Sequence, residues 1–130
     1  MPRVFKNKWF VRFARKEGIE DSVLCETIRS VETGLIDADL GGGVIKQRVA
    51  RSNQGKSTGF RVIILFRAND RAFFVYGFAK SERDDLRANE LAGFKALADE
   101  MFGYDKESLE RALKNGALVE VHCNGKEISK

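Results

Sequence analysis

The chain has few of the histidines and cysteines with which hydrolases often build a metal centre or an acid–base pair. Its 130 residues include one histidine, His122, and two cysteines, Cys25 and Cys123, which lie far apart and match no metal-ligand spacing. Two reduced thiols in a cytosol are the simplest interpretation of these cysteines. We therefore expect no metal, no other cofactor and no disulfide.

Long apolar runs are also missing. No run approaches the roughly 20 residues that cross a bilayer, and the stretch MPRVFKNKWF lacks the apolar core and cleavage site of a secretory signal. A chain of this length is the size of one domain, and no linker or repeat divides it. The sequence therefore predicts a single cytoplasmic domain, residues 1–130, with no membrane partner.

Acidic residues are scarce in the centre of the chain. Residues 44–80 contain eight Lys and Arg but one acidic residue, Asp70, so this segment carries +7 (eight minus one), whereas the whole chain carries +4. Clustered cations release counterions from a phosphate backbone, which favours a polyanionic partner. A solvated surface on a basic protein is the alternative.

Two hydrophobic periods follow one another along the chain and predict an α+β fold. Asn7 can cap a helix over Lys8–Lys16, and a second helix runs from Glu20 or Asp21 to about Thr33. These helices are predicted to form a hairpin whose aromatic face belongs to the core. β-Branched and aromatic runs then predict strands, and helical spacing returns later. The predicted strands are 44–50, 60–67, 71–80 and 117–121, and the predicted later helices are 81–103, capped by Ser81 and Asp84, and 106–114.

One motif points to a nucleotide, but its context excludes that function. The stretch ARSNQGKS, Ala50 to Ser57, fits the pattern of a loop that cradles nucleotide phosphates. Such a loop must open directly into a helix, whose N-terminal amides face the phosphates. The residues that follow Ser57 are predicted to form a strand instead. The match is therefore a false positive, and Lys56 lies in a loop between two strands that carry cations.

Strand alternation brings several cations of the central segment to one face. Lys46 and Arg48 are two residues apart and project from the same side of their strand, and Arg61 faces away from its apolar neighbours. Adjacent strands would gather these cations into a basic concavity beside aromatic rings, which suits single-stranded RNA. The cations of this surface are Lys46, Arg48, Arg61 and Lys80, and the predicted RNA-binding residues beside them are Arg51, Lys56, Tyr76 and Phe78.

The stretch LGGGVIKQRVARSNQGKSTGFRVIILFRANDRAFFVYGFAKSER resembles the core of the RelE-type toxins of bacterial toxin–antitoxin pairs. The run GGGVIKQR, the later GKS and the Gly-aromatic-Arg after it carry the resemblance, which extends from KNKWFVRFARKEGI to about Val121. It implies a helical hairpin packed on a twisted antiparallel sheet. It also implies ribosome-dependent cleavage of mRNA in the ribosomal A site, with ribosomal RNA as a further partner and a cognate antitoxin that blocks the active surface.

The resemblance also assigns roles by position. Lys46 and Arg48 match the paired cations of the strand after the helices, Arg61 matches the arginine of the Gly-aromatic-Arg motif, and Lys80 matches the cation that ends the following strand. The resemblance also implies a loop lysine and a C-terminal aromatic or basic residue in the site. Lys56, in the loop before Arg61, corresponds to the loop lysine. For that last position Tyr104 is a candidate, and Tyr76 or Phe78 could stack on a base instead.

The side chains suggest how such a site would cleave RNA without a metal. Lys46 is the hypothesised general base, with a pKa lowered by like-charge repulsion from Arg48 and Arg61. The two arginines would stabilise charge on the phosphate, and Lys80 or Lys56 would protonate the leaving oxygen. Three alternatives stay open: a ParE-like toxin that acts on a protein such as DNA gyrase, a non-catalytic RNA-binding module, and cations that only bind an acidic antitoxin.

Overall fold

The computed structural model describes residues 1–50 and 59–123, which form a six-stranded sheet with helices on both faces. In chain order the elements of this described part are β1 (Arg3–Asn7), α1 (Lys8–Glu17), α2 (Asp21–Glu32), β2 (Ala38–Gly41), β3 (Val44–Val49), β4 (Phe60–Arg67), β5 (Arg71–Ala79), α3 (Ala88–Phe102), α4 (Lys106–Lys114) and β6 (Leu118–Val121). None of the helices in the two described ranges is long and apolar enough to span a membrane.

The sheet is mixed, with one parallel pair. Its strand order is β2-β3-β4-β5-β1-β6, and β1 runs parallel to β5. The α+β class is confirmed, and the predicted antiparallel pairing holds for every other pair of neighbouring strands in the described part. The local pattern does not predict β1 or β2, because both are short and depend on pairing with partners elsewhere in the sheet.

The first two helices begin and end close to the predicted residues. The Asn7 side chain caps α1 by accepting a hydrogen bond of 2.8 Å from the Phe10 N–H, and Gly18 ends the helix with φ 71°. α1 lies over β5 and β1, whereas α2 extends from β1, where Asp21 binds Lys6 at 2.9 Å, to β3. The predicted hairpin is therefore matched in part: both helices cover one face, but each packs chiefly on strands.

The third helix starts later than the sequence predicts. α3 begins at Ala88 rather than Ser81, and the Glu90 carboxylate accepts a hydrogen bond of 2.8 Å from the Arg87 N–H at its start. The predicted cap by Ser81 and Asp84 is therefore wrong. Residues 81–87 form turns and bends because their side chains bind groups of the sheet and of α3. The predictions of α4 and β6 are confirmed.

Two apolar clusters pack on opposite faces of the sheet. We call the face under α1 and α2 the hairpin face, and the face under α3 and α4 the α3 face. The hairpin-face cluster includes Phe10, Leu24, Ile28, Ile45, Val49, Phe60, Val62, Ile64 and Phe74. The α3-face cluster includes Phe5, Val44, Ile63, Leu65, Phe73, Val75, Ala98, Met101 and Leu109. Because strand side chains alternate, neighbours such as Ile63 and Ile64 belong to different clusters.

A disulfide joins Cys25 of α2 to Cys123, which follows β6. The two Cα atoms are 5.4 Å apart, a separation that suits a disulfide. This bond corrects the prediction of two reduced thiols. The spacing along the chain gives no sign of it, because 98 residues separate the two cysteines and only the fold brings α2 beside the end of β6.

Candidate nucleic-acid interface

Three predicted cations lie on the α3 face in two rows that cross β3, β4 and β5. Residues that pair directly across neighbouring strands project from the same side of a sheet. Strands lie about 4.8 Å apart, so each row spans roughly 10 Å. One row is Lys46, Ile63 and Tyr76, and the other is Arg48, Arg61 and Phe78. We call these six residues the basic rows.

The C-terminal half of the helix above this face covers the other end of the strands, whereas its Phe94 ring packs on Tyr76 with centroids 5.6 Å apart. α3 packs through Ala98 and Met101 into the α3-face cluster, and its last residue, Phe102, lies against the turn between β2 and β3. Gly43 in that turn has φ 84°, and a Cβ there would be 2.8 Å from the Phe102 ring. The close approach requires glycine. It keeps the C-terminal end of α3 at the start of β3, away from Arg48 and Arg61.

Arg48 and Arg61 face each other directly across β3 and β4. Like charges in this position destabilise a sheet unless something compensates them. Asp37 supplies part of that compensation: its carboxylate accepts hydrogen bonds from the Arg48 N–H at 2.7 Å and from Nε at 3.1 Å. On the hairpin face, Gln47 fastens the same segment by bonding the Leu35 carbonyl and the Asp37 N–H. The Arg48 guanidinium is therefore held in a fixed position.

Lys46 carries a carboxylate partner that the sequence does not predict. Its Nζ lies 2.9 Å from Oδ1 of Asp85, and the Lys46 side chain is 16% exposed whereas that of Asp85 is 61% exposed. The hydrogen bond from Lys46, followed by one from the Leu86 N–H, holds the pKa of Asp85 below its usual range. An anionic oxygen thus occupies a position where a phosphate oxygen would meet Lys46.

Arg83 fastens the segment that carries Asp85. Its guanidinium donates to the Tyr76 hydroxyl at 3.2 Å, to both Glu90 oxygens and to the Asp85 carbonyl. It also lies over the Phe78 ring, 5.2 Å from the centroid. Hydrogen bonds from Arg83 and then from the Arg87 N–H lower the pKa of Glu90 to about 2. Arg83, Asp85 and Glu90 therefore join the basic rows to the start of α3.

A family model described as the RelE toxin of the RelE / RelB toxin–antitoxin system matches residues 2–121. The chain belongs to the RelE toxin family. The resemblance predicted from the sequence is confirmed, and the mixed sheet with four helices in the described part is consistent with the RelE-like fold. Membership implies, in general, a ribonuclease toxin with an antitoxin as partner. A search of curated proteins finds no match to the chain.

The other predicted site residues of this RelE-family chain lie in different surroundings. Lys80 is exposed directly after β5, and its N–H donates to the Gly59 carbonyl at 3.2 Å, which extends the pairing of β4 with β5. Phe78 is only 4% exposed, whereas Tyr76 is partly exposed. Arg51 and Lys56 lie outside the described residues. Lys46, Arg48, Arg61, Tyr76 and Phe78 are thus gathered on one face, and Lys80 lies just beyond the end of β5.

Tyr104, the C-terminal candidate, lies apart from the basic rows. It follows α3, its hydroxyl donates to Glu100 at 3.3 Å, and burial is the main cause that raises its pKa. The end of α3 is fixed near Arg71, whose guanidinium donates to the Met101 carbonyl. Arg71 begins β5, so it is about 20 Å along the strand from Phe78. Tyr104 is therefore placed at the opposite end of the strands from Arg61.

The sequence does not point to Arg83, Asp85 and Glu90 as parts of this site. Their segment is rich in acidic residues at helical spacing, so its local pattern predicts a solvated helix. The contacts of Arg83 with Tyr76 and of Asp85 with Lys46 depend on the sheet, which no local signal reveals. Within residues 1–50 and 59–123, no group of three or more His, Cys, Asp or Glu side chains could hold a metal ion.

Proposed function

We propose that this RelE-family protein is a ribosome-dependent endoribonuclease that cuts mRNA, arrests translation and is neutralised by its antitoxin. The observation that carries the proposal is the pair of basic rows on the α3 face of a member of a ribonuclease toxin family. Opposed like charges cost a sheet stability. A polyanionic ligand that binds there accounts for their being placed together.

RNA supplies the nucleophile for this reaction. The 2′-oxygen attacks the adjacent phosphorus, the bond from phosphorus to the 5′-oxygen breaks, and the products are a 2′,3′-cyclic phosphate and a 5′-hydroxyl. A base must take the 2′ proton and an acid must supply one to the 5′-oxygen. We assign Lys46 as the base, Arg48 and Arg61 as the groups that stabilise charge on the phosphate, and Lys80 as the acid. Lys56 is the alternative acid.

The ion pair between Lys46 and Asp85 adds a condition to this mechanism. The Lys46 Nζ already has Oδ1 of Asp85 at 2.9 Å, in the position that the 2′-hydroxyl of RNA must take to give Lys46 its proton. RNA must therefore displace Asp85 before Lys46 accepts a proton. A requirement for a substrate held in line by the ribosome fits a site that is closed in this way.

The aromatic residues of the basic rows would bind the base next to the scissile phosphate. Tyr76 is partly exposed and is the ring that RNA reaches first, because Arg83 covers Phe78. Stacking of a base on an aromatic ring is tolerant of sequence and contributes about 1–3 kcal/mol. We assign Tyr76 as the stacking residue, with Phe78 as its support.

The test uses single substitutions Lys46→Ala, Arg61→Ala and Lys80→Ala, with Lys106→Ala on α4 as the control for loss of an exposed charge. Each purified variant is added to ribosomes that translate a defined message, and cuts are mapped by primer extension. We expect Lys46→Ala and Arg61→Ala to lose about 10²- to 10³-fold in cleavage rate, as when a general base or a group that stabilises transition-state charge is removed. Lys106→Ala should cleave like the parent protein.

Thermal unfolding of every variant separates loss of chemistry from loss of fold. Undiminished cleavage by all three variants, with stable protein, would end the catalytic assignment. Translation arrest by the parent protein without discrete cuts would reject the nuclease itself and favour a toxin that acts on DNA gyrase or a non-catalytic RNA-binding module.

A further inference from the structure

The outer side of α1 is a stripe of positive charge. Four exposed cations lie on it, and the acidic residue of this helix, Glu17, is partly buried. Residues three and four apart are neighbours on a helix surface, with Cβ atoms about 5–6 Å apart, so the four cations form one continuous row. Together with the exposed ring of Trp9, we call these residues the α1 stripe. Its members are Lys8, Trp9, Arg12, Arg15 and Lys16.

The α1 stripe is partly unfavourable for the helix itself, although Arg15 and Lys16 in the last turn complement the helix dipole. Like charges three or four residues apart destabilise a helix, and Lys8 lies in the first turn, where the helix dipole disfavours a cation. No acidic residue offsets it in that turn. Among the described residues, no carboxylate forms an ion pair with any of the four cations, whereas Lys6, Lys46, Arg48 and Arg83 each have such a partner. Within the described part of the chain, a ligand would therefore not have to displace a carboxylate to reach the cations of α1.

Trp9 connects the α1 stripe to the basic rows. Its ring stacks on Phe13 with centroids 5.2 Å apart and lies 4.6 Å from the centroid of Tyr76, yet 37% of the residue stays exposed. The sequence predicted that the whole aromatic face of the first helix belongs to the core. That prediction is correct for the buried Phe10 and wrong for the exposed Trp9. A ligand that passes over Tyr76 thus meets Trp9 and then the cations of α1.

We propose that the α1 stripe is a second RNA-binding surface that holds the phosphate backbone of ribosomal RNA while the basic rows act on the message. The inference rests on the proposed function for the identity of the RNA. Cations in one row, with no ion-pair partner among the described residues, suit a phosphate backbone, and the exposed indole suits stacking on a base. A protein partner would need an apolar patch to bury, and Trp9 is the stripe's one large apolar side chain.

Charge neutralisation tests the proposal. The triple variant Arg12→Gln, Arg15→Gln, Lys16→Gln is compared with Lys106→Gln, Arg111→Gln, Lys114→Gln, which removes the same charge from exposed positions of α4. Binding to purified ribosomes is measured by co-sedimentation between 50 and 200 mM salt (about the range in which phosphate contacts are resolved). We expect the α1 variant to bind on the order of 10- to 100-fold more weakly, and its slope of log K against log salt to fall by about 3. The α4 variant should keep the slope of the parent protein.

Equal losses in the two triple variants would overturn the proposal, because net charge alone would then explain binding. Trp9 offers an independent readout, since it is the single tryptophan of the chain. A ribosomal RNA fragment should quench its fluorescence by stacking, and polyglutamate of the same charge should not. Quenching by polyglutamate to the same extent would assign the stripe to an acidic protein instead.

The closing comparison separates this proposal from the proposed function. Lys46→Ala should lose cleavage and weaken ribosome binding by no more than the loss of one phosphate contact, whereas the α1 triple variant should lose binding and, once bound at high ribosome concentration, cut the message at the parent rate. A parent protein that binds ribosomes through α1 but never cuts would reject the nuclease and leave the α1 stripe supported. If instead the α1 triple variant binds ribosomes as tightly as the parent protein and still cuts the message, the α1 stripe is rejected and the nuclease stays supported.

Discussion

The two faces of the sheet are built from the same strands and each carries an apolar cluster, but the cations of the basic rows lie on one face alone. On the hairpin face β3 and β4 present Ile45, Val49, Val62 and Ile64, all buried under α1 and α2. On the α3 face the alternate residues of these strands include the cations of the basic rows. One strand with period-two alternation thus contributes at once to a sealed core and to a charged surface.

The cover over each face explains the difference. Two helices with apolar faces close the hairpin face from β1 to β3. α3 covers part of the other face, and the segment 81–87 covers the basic rows with polar contacts: Asp85 to Lys46, and Arg83 to Tyr76. Moving α1 or α2 away from the sheet would expose buried apolar surface, which costs free energy. An exposed ion pair such as Lys46–Asp85 contributes little, so another anion can readily take the place of the carboxylate. The hairpin face is therefore suited to stability, whereas the α3 face combines an apolar core with the basic rows, which are suited to binding.

The largest effect is expected from substitutions at Ile63 and Ile64, neighbours in β4 that are both fully buried but on opposite faces. Ile64→Ala and Ile63→Ala should each lower the free energy of unfolding by about 2–5 kcal/mol, because each removes three buried carbons. Below the unfolding temperature, Ile64→Ala should cut mRNA at the parent rate. Ile63→Ala should cut more slowly, since Ile63 lies between Lys46 and Tyr76.

Chemical denaturation and the cleavage assay on the same preparations check this pair. Similar cleavage rates for the two variants, in protein shown to be folded, would mean that the two faces do not divide stability from binding in this way.

The disulfide on the hairpin side is expected to have the next largest effect. The variant Cys25→Ser, Cys123→Ser should be less stable by about 2–4 kcal/mol, because the bond closes a long loop in the unfolded chain. Denaturation with and without a reductant measures the change. Reductant should destabilise the parent protein and leave the serine variant unaffected. Two titratable thiols in the folded, unreduced protein would contradict the bond itself.

Much of the fold is encoded locally, and those parts are predictable. The cap at Asn7, the stop at Gly18 and the bounds of β4 and α4 follow from residues close to one another in sequence. The parallel pairing of β1 with β5 and the Cys25–Cys123 bond join distant segments, so no local pattern indicates them. They become visible only when the whole sheet is assembled.

The same division applies to the candidate site. Lys46, Arg48 and Arg61 are predictable as one surface because strand alternation decides the face on which they lie. Their carboxylate partners are not, since Asp37 and Asp85 come from separate segments. The repulsion among cations that the sequence indicates is thus partly relieved in the structure by anions from other elements.

A smaller effect is expected from Asp85, the residue that closes the α3 face. Asp85→Asn removes the carboxylate that competes with RNA for Lys46, and an exposed ion pair contributes about 0.2–1 kcal/mol. Single-stranded RNA should therefore bind about two- to fivefold more tightly, as measured by fluorescence anisotropy.

The matched control is Asp84→Asn, which makes the same charge change one residue away at an exposed position. It should alter RNA binding less than Asp85→Asn. If both variants bind RNA more tightly by the same factor, the net negative charge of the segment 81–87 governs binding and the contact of Asp85 with Lys46 does not.

The smallest effect concerns Glu90, which anchors the segment over the α3 face. Its pKa of about 2 in the folded protein lies below that of a free glutamate, because Arg83 and the Arg87 N–H bond its charged form. The unfolded chain therefore binds this proton more readily than the folded one. The stability contributed by Glu90 is complete above about pH 4.5 and is lost as the pH falls towards 2.

The measurement is the free energy of unfolding of the parent protein and of Glu90→Gln as a function of pH. The difference between the two should be present at pH 7 and should shrink as the pH falls through this range. In an Arg83→Gln background most of that pH dependence should disappear, since the guanidinium is its main cause. If the difference in free energy of unfolding between the parent protein and Glu90→Gln stays constant from pH 7 to pH 2, Arg83 does not bind Glu90. Other contacts then hold the segment 81–87 over the α3 face.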